Sequence, residues 1–193
     1  MFDPPHIGHL IVASESAWQL GLDEVRLVVC ARPPHRDAGM LPGELRLRLV
    51  AAAVLDDPPL VASRAELDRP GPSYTVDTLE GFAGDEPGTA FHLILGADQL
   101  MGLRRWRRPE RIVEVASLAV VGRGGADREA LLAAATAAGP VDVRWIEMPE
   151  VAVSSTMIRE RLRLGRPIRH LVPRPVEELL AAEGFPAVAA LLP

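Results

Sequence analysis

The chain has 193 residues, 48% of them hydrophobic, so its length suits one domain and its composition excludes wholesale disorder. Its 21 basic and 26 acidic residues give a formal net charge of −5, which argues against non-specific binding of nucleic acid. The single cysteine, Cys30, excludes an internal disulfide, and no apolar run is long enough to span a membrane. We therefore expect a cytoplasmic protein with no nucleic-acid or membrane partner.

The sequence contains no lysine. All 21 cationic side chains are therefore arginines. A mechanism that needs a lysine nucleophile, a lysine Schiff base or a P-loop lysine is excluded.

Short apolar runs alternate with amphipathic segments along the chain. The apolar runs predict strands over 25–30, 91–95, 118–121 and 141–146. Helical periodicity and end signals predict helices from 8 or 9 to 20 and over 44–55, 75–82, 108–115, 127–138, 155–164 and 175–182. This alternation predicts an α/β fold, a doubly wound, mostly parallel Rossmann-like sheet with helices on both faces. We expect a single domain over 1–193, with a small helical extension from about residue 154.

The first predicted helix begins early for such a fold. In a doubly wound sheet the first helix follows a strand. Only seven residues precede this helix, too few for a strand and a turn. We therefore expect the first strand of the sheet to be missing from this sequence.

Two histidines, His6 and His9, lie one turn apart at the start of the first predicted helix. A helix N-terminus carries unpaired N–H groups and a partial positive charge that suit a phosphate, and imidazoles there can donate hydrogen bonds to it. Gly8 between them leaves room for a bulky group against the backbone. The alternatives are a partly buried pair of structural histidines, or a zinc site completed by Cys30 or His35.

A second polar cluster lies where the helix predicted at 155–164 begins. One of Ser154, Ser155 and Thr156 is expected to be the N-cap. Arg159 follows one turn later and can reach the same end of the helix. Hydroxyls, free N–H groups and a guanidinium then converge on one anion. The alternative is a plain capped helix with surface arginines.

Together, the Phe-Asp-Pro-Pro-His-Ile-Gly-His motif at 2–9 and the Ser-Ser-Thr-Met-Ile-Arg motif at 154–159 resemble the nucleotidyltransferase α/β-phosphodiesterase superfamily. Within it, the chain resembles the bacterial nicotinate-nucleotide adenylyltransferases. Further segments that match in chain order are Pro-Pro-His-Arg at 33–36, Gly-Pro-Ser-Tyr-Thr-Val-Asp-Thr-Leu at 71–79, Gly96, Asp98, Trp106 and Leu-Val-Pro at 171–173. The family begins with a strand and a Gly-Gly-Thr turn just before the first motif. Their absence predicts a misassigned start codon or a genuine truncation.

This resemblance implies adenylyl transfer from ATP to nicotinate mononucleotide, which yields deamido-NAD and pyrophosphate. It implies that the catalytic residues are His6, His9 and Arg159. It implies an ATP site made of Phe2, His6, His9, Gly96, Asp98, Ser154, Ser155, Thr156 and Arg159. It implies a nicotinate mononucleotide site made of His35, Arg36, Tyr74, Thr75 and Trp106. Mg²⁺ is expected to accompany ATP without a ligand from a protein side chain, and a homo-oligomer is left open.

Three of these roles have a structural alternative. Asp98 is expected to bind a ribose hydroxyl, or else to cap a helix. Trp106 is expected to stack on the pyridine ring, or else to be a tryptophan of the core or its rim. Thr75 is expected to meet the nicotinate carboxylate, or else to cap the next helix. Arg107 stands where many relatives place an aromatic residue beside the tryptophan, which weakens the stacking argument on one side of the ring.

Three competing functions remain at this stage. A sister adenylyltransferase would use nicotinamide mononucleotide or phosphopantetheine. A fragment of a class I aminoacyl-tRNA synthetase would share the His-x-Gly-His element, but those enzymes usually add a lysine-rich loop. A truncated, inactive copy would only bind a nucleotide or a partner.

Overall fold

The computed structural model of the protein describes residues 2–33, 41–122 and 127–183. Clustering of contacts divides the chain into two compact units. The first unit contains Met1–Pro72 and Val151–Pro193, and the second contains Ser73–Glu150. Over the described ranges, no helix is both long enough and apolar enough to cross a bilayer.

The described residues form eight α-helices, a short 3-10 helix and five strands. The helices are α1 (Ile7–Leu20), α2 (Gly43–Ala53), α3 (Thr75–Asp85), α4 (Ala97–Met101), α5 (Pro109–Val115), α6 (Arg128–Thr136), α7 (Ser155–Arg163) and α8 (Arg174–Ala182), with the 3-10 helix at Leu103–Arg105. The strands are β1 (Val25–Val28), β2 (Leu60–Ser63), β3 (Phe91–Gly96), β4 (Ala116–Val121) and β5 (Val143–Ile146).

The first unit contains α1, β1, α2, β2, α7 and α8. Strands β1 and β2 pair in parallel, with Val25 opposite Leu60. Helix α2 packs against α8, and each helix buries aliphatic side chains, among them Leu49 of α2 and Leu180 of α8. Helix α1 ends at Gly21, whose left-handed backbone (φ 61°) is a conformation that glycine adopts without a Cβ clash.

The second unit contains a three-stranded sheet in the order β3-β4-β5. Both pairs are parallel, with Phe91 opposite Ala116 and Leu118 opposite Val143. Helix α3 packs on α5, and α4 packs on α6. The core of this unit is aliphatic, and Leu118 and Ile112 are fully buried in it.

The α/β fold and the parallel pairing predicted from the sequence are confirmed. The predicted helices and strands are all present, with ends displaced by between zero and three residues. Three elements were not predicted: β2, α4 and the 3-10 helix, which have four, five and three residues. Segments this short carry at most two periods of a hydrophobic pattern, so they give little signal.

Candidate active site

The two histidines of the first motif form one stacked pair at the start of α1. His6 is the N-cap, with an extended backbone (φ −145°, ψ 168°), and its side chain is buried. Its amide donates a hydrogen bond to Nδ1 of His9 at 3.2 Å, and the His9 amide donates to the His6 carbonyl at 2.9 Å. The two ring centroids lie 3.8 Å apart, and the ring of Phe2 meets His9 edge-on at 4.9 Å. We call residues 2–6 the His loop.

Both imidazoles are neutral at physiological pH. Burial lowers the pKa of His6 to about 4. Burial, together with the neighbouring charge of His6, lowers the pKa of His9 to about 3. Because Nδ1 of His9 accepts a hydrogen bond, its ring proton belongs on Nε2. The pair therefore offers hydrogen-bond donors to an anion while both rings are uncharged.

Gly8 is required by the histidine pair itself. A Cβ atom at this position would lie 3.1 Å from both Cε1 and Nδ1 of His6, and 3.7 Å from Cγ1 of Val151. The sequence suggested that Gly8 makes room for a bulky group. The structure shows that the group occupying this space is the imidazole of His6.

The start of α7 carries the hydroxyl cluster. Ser154 is the N-cap, and its Oγ accepts a hydrogen bond from the Met157 amide at 3.2 Å. The prediction that one of the three hydroxyl residues caps this helix is therefore confirmed. Ser155 Oγ donates instead to the Pro4 carbonyl at 2.9 Å, across a sequence separation of 151 residues. Thr156 is exposed in the first turn.

Arg159 ties α7 to the His loop. Its Nη1 donates to the backbone carbonyl of Asp3 at 2.9 Å, and its Nη2 donates to Thr156 Oγ1 at 3.1 Å. The Arg159 side chain is buried. Through Arg159 and Ser155, the N-termini of α1 and α7 are joined by residues 3 and 4. The first unit thus brings together His6, His9, Ser154, Ser155, Thr156 and Arg159.

This arrangement suits a polyphosphate. Two helix N-termini supply backbone N–H groups and the positive end of their dipoles. Neutral imidazoles, serine and threonine hydroxyls and a guanidinium add side-chain donors of the kind that phosphate oxygens accept. The zinc alternative has no support in the described part of the chain, where no cluster of three His, Cys, Asp or Glu side chains could hold a metal ion.

In the second unit, the end of β3 leads directly into α4. Gly96 is the last residue of β3 and the N-cap of α4, with φ −75° and ψ 157°. Asp98 is the second residue of α4 and is exposed. The capping alternative for Asp98 is therefore wrong, since Gly96 holds that position.

The same unit holds Tyr74, Thr75 and Trp106. Tyr74 is the N-cap of α3, and Thr75 is the first helical residue, so Thr75 is not the cap. Tyr74 and Trp106 are half-buried and pack against the aliphatic core of this unit. The guanidinium carbon of Arg107 lies 4.6 Å from the centroid of the Tyr74 ring, a cation–π contact.

A run of four arginines consists of Arg104, Arg105, Arg107 and Arg108. The last two form ion pairs with acidic residues of α3. Arg107 lies 3.7 Å from Asp77, and Arg108 pairs with both Asp77 and Glu80. Arg111 of α5 also pairs with Glu80, at 2.9 Å. These contacts join α3 and α5, and such ion pairs are typical of a charged protein surface.

Two predicted site residues, His35 and Arg36, lie outside the described residues. One residue that sequence reasoning left out of the site is Asp3, which is buried and contacts Arg159. Its only signal in the sequence was its place inside the first motif. Nothing local in the sequence indicates a partner 156 residues away.

Comparison with known proteins shows the family to which the chain belongs. Residues 1–161 match the model of the cytidylyltransferase-like family. The chain is 43% identical to the probable nicotinate-nucleotide adenylyltransferase of Thermus thermophilus over 184 residues, which are 95% of this chain and 94% of that relative. It is 39% identical to the protein of the same name from Exiguobacterium sibiricum over 179 residues, or 93% of this chain and 91% of the relative. The chain belongs to the cytidylyltransferase-like family and, within it, to the nicotinate-nucleotide adenylyltransferases.

Solved structures share the fold. The nicotinic acid mononucleotide adenylyltransferase of Plasmodium falciparum, solved as complexes with APC and with NaAD, superposes with a TM-score of 0.76 at 16% identity, covering 96% of this chain and 93% of that one. A putative nicotinate-nucleotide adenylyltransferase from Vibrio parahaemolyticus superposes with a TM-score of 0.68 at 21% identity, covering 96% and 90%. At these identities the likeness concerns the fold.

Proposed function

We propose that the protein transfers the adenylyl group of ATP to nicotinate mononucleotide, forming deamido-NAD and pyrophosphate. The observation that carries this proposal is the bonded junction of two helix N-termini, lined by neutral histidines, hydroxyls and Arg159. The names of the curated relatives support the same reaction.

The reaction needs alignment more than proton transfer. An oxygen of the mononucleotide phosphate attacks the α-phosphorus of ATP, and the bond from that phosphorus to the pyrophosphate oxygen breaks. The attacking oxygen is already anionic, so no general base is required. His6 and His9 donate hydrogen bonds to the α-phosphate, where charge builds up in the transition state. The Nε2–H group of His9 is the donor nearest the reacting phosphorus.

The start of α7 binds the leaving group. Ser154, Ser155, Thr156 and Arg159 hold the β- and γ-phosphates, with the free amides of the first turn. Holding three phosphates in a fixed orientation supplies the positioning that accelerates an in-line displacement. Phe2 contributes by packing its ring on His9.

Residues of the second unit bind the two nucleosides. Gly96 and Asp98 bind ATP, with the Asp98 carboxylate accepting a hydrogen bond from a ribose hydroxyl. Trp106 stacks on the pyridine ring, while Tyr74 and Thr75 meet the nicotinate carboxylate at the start of α3. His35 and Arg36 are assigned to the mononucleotide on the resemblance alone.

Mg²⁺ is proposed to arrive with ATP. The side chains assigned to the phosphates offer N–H and O–H groups and a guanidinium, which fit phosphate oxygens rather than a metal ion. When bound, Mg²⁺ would neutralise part of the phosphate charge. The protein residues named above orient the phosphates and hold no metal themselves.

The decisive assay is Mg²⁺-dependent release of pyrophosphate from ATP. Nicotinate mononucleotide, nicotinamide mononucleotide and phosphopantetheine are offered separately as acceptors. Turnover with nicotinate mononucleotide alone is the expected result. Turnover with one of the other acceptors assigns a sister adenylyltransferase activity. If the folded protein binds ATP but releases no pyrophosphate with any of the three acceptors, the enzymatic proposal is refuted and nucleotide binding alone remains.

A further inference from the structure

Asp3 is a buried carboxylate in the His loop, with 1% of its surface exposed. Its Oδ1 atom accepts a hydrogen bond from the Leu41 amide at 3.0 Å, and its backbone carbonyl accepts one from Arg159 at 2.9 Å. Its Oδ2 atom has no hydrogen-bond partner among the described residues and lies 3.6 Å from Nη1 of Arg159. One residue therefore connects the His loop, the segment just before α2, and α7.

The negative charge of this carboxylate acts on two buried guanidiniums. Arg159 is 5% exposed and Arg46 is 1% exposed. Burial lowers the pKa of Arg46, and the negative charge of Asp3 opposes that shift. Arg46 Nε also donates to the Leu41 carbonyl at 2.9 Å, so Leu41 is held at both its amide and its carbonyl. Because buried charges are costly without a partner, the charge of Asp3 helps to keep both arginines in place.

These contacts fix the spacing of the phosphate site. Asp3 lies three residues before His6, and the next carbonyl, that of Pro4, is held by Ser155 at 2.9 Å. The bonds at residues 3 and 4 thus set the distance between the start of α1 and the start of α7. A displacement of a reacting group by about 1 Å can lower a rate by about 100-fold.

We propose that Asp3 is a positioning residue, which aligns the His loop and Arg159 for the transition state and weakens the ground-state binding of ATP. Its negative charge lies beside the guanidinium assigned to the ATP phosphates, so it repels the anion that it helps to align. A group of this kind raises kcat while it raises the Kd for ATP. The inference rests on the proposed function, because it assumes that the phosphates of ATP bind at this junction.

The variant Asp3→Asn separates charge from packing. It keeps the shape of the side chain and an Oδ1 acceptor for Leu41, and it removes the charge. We expect kcat to fall at least about tenfold, while the Kd for Mg-ATP, measured by calorimetry, decreases. The control Asp57→Asn removes a carboxylate that accepts a hydrogen bond from Ser14 at 3.3 Å, and it should change neither quantity. A folded Asp3→Asn protein with unchanged kcat, or with a Kd for ATP that is unchanged or higher, overturns the proposal.

A second measurement does not depend on turnover. The ¹⁵N spectrum of the imidazoles reports the tautomer of His9, which is Nε2–H while Nδ1 accepts from the His6 amide. Asp3→Asn should convert this spectrum to a mixture of tautomers in the absence of any substrate. If the unmodified chain shows no adenylyl transfer, the proposed function fails. The ¹⁵N spectrum of His9 and the Kd for Mg-ATP, compared between the unmodified chain and Asp3→Asn, then still decide the role of Asp3. Should Asp3→Asn fail to fold, Ser155→Ala releases the Pro4 carbonyl next to Asp3 and should shift the same spectrum. Only its substrate-free spectrum is compared, because Ser155 is itself assigned to the phosphates, and an unchanged His9 signal overturns the proposal.

Discussion

Gly8 shows how much of the candidate site depends on single atoms. Replacing it with alanine places a methyl group 3.1 Å from the ring of His6, so the ring must move. We expect Gly8→Ala to lower kcat by about tenfold or more, following the cost of a misplaced reacting group. Steady-state kinetics on a protein of verified melting temperature measures this.

Gly81 provides the matched control. It lies within α3, and a Cβ there meets nothing within 4 Å. Gly81→Ala should leave kcat unchanged and stabilise the protein by about 0.5–1 kcal/mol, because alanine loses less backbone entropy in a helix. Equal kinetics for the two variants would contradict the assigned role of Gly8.

The buried histidines predict a pH dependence of stability. In the unfolded chain both have ordinary pKa values near 6.5, and in the folded protein burial lowers the pKa of His6 to about 4 and that of His9 to about 3. As the pH falls below about 6.5 the unfolded state gains protons that the folded state does not. The free energy of unfolding should therefore decrease from pH 6.5 towards pH 4.

Urea denaturation at a series of pH values measures this slope. The double variant His6→Asn with His9→Asn should have a shallower slope between pH 6.5 and pH 5, a range above the usual titration of carboxylates. The same slope in both proteins would mean that these histidines titrate normally when folded.

The sequence predicted which residues the candidate site brings together better than it predicted their contacts. Its two motifs correctly indicated a histidine pair at one helix start and a hydroxyl cap at another. It could not indicate that Arg159 bonds the Asp3 carbonyl, because a contact across 156 residues leaves no periodic pattern. Nor could it indicate that the histidines are neutral, since that follows from burial, which is a property of the folded chain.

At the scale of elements, α6 and α7 can be compared because each has an N-cap side chain that accepts a hydrogen bond from the first turn. Ser154 caps α7 through the Met157 amide, and Asp127 caps α6 through the amides of Glu129 and Ala130. Replacing either cap with alanine should cost about 1 kcal/mol of stability. Only Ser154→Ala should also weaken the binding of Mg-ATP because, of these two helices, only α7 is assigned to the phosphates. Thermal melts with and without ATP separate the two effects, and equal ATP stabilisation of both variants would remove α7 from the site.

Prediction of elements succeeded where the pattern was long. The helix predicted at 44–55 is α2 at Gly43–Ala53, and the helix predicted from 8 or 9 is α1 from Ile7. The strand β2 follows two prolines and has four residues, of which Leu60 alone is fully buried, so it lacks the alternation of a half-buried strand. Tertiary pairing with β1, rather than local preference, makes it a strand.

At the scale of the whole molecule, the absence of lysine makes a chemical test possible. A lysine-selective acylating reagent has no lysine to modify, so adenylyl transfer should survive it. An arginine-selective dicarbonyl should abolish the activity, and ATP should protect against it, because Arg159 is assigned to the phosphates. Activity that falls with the acylating reagent and resists the dicarbonyl would contradict a phosphate site built on arginine.

The bonds from Arg159 to Asp3 and from Ser155 to Pro4 span 156 and 151 residues. Their consequence concerns synthesis on the ribosome. The His loop emerges long before α7, yet its fixed conformation needs contacts with α7. Long-range contacts of this kind form late and slow folding. Nascent chains arrested before α7 has emerged should therefore not retain ATP, and the capacity to bind it should arise abruptly once Arg159 has left the exit tunnel.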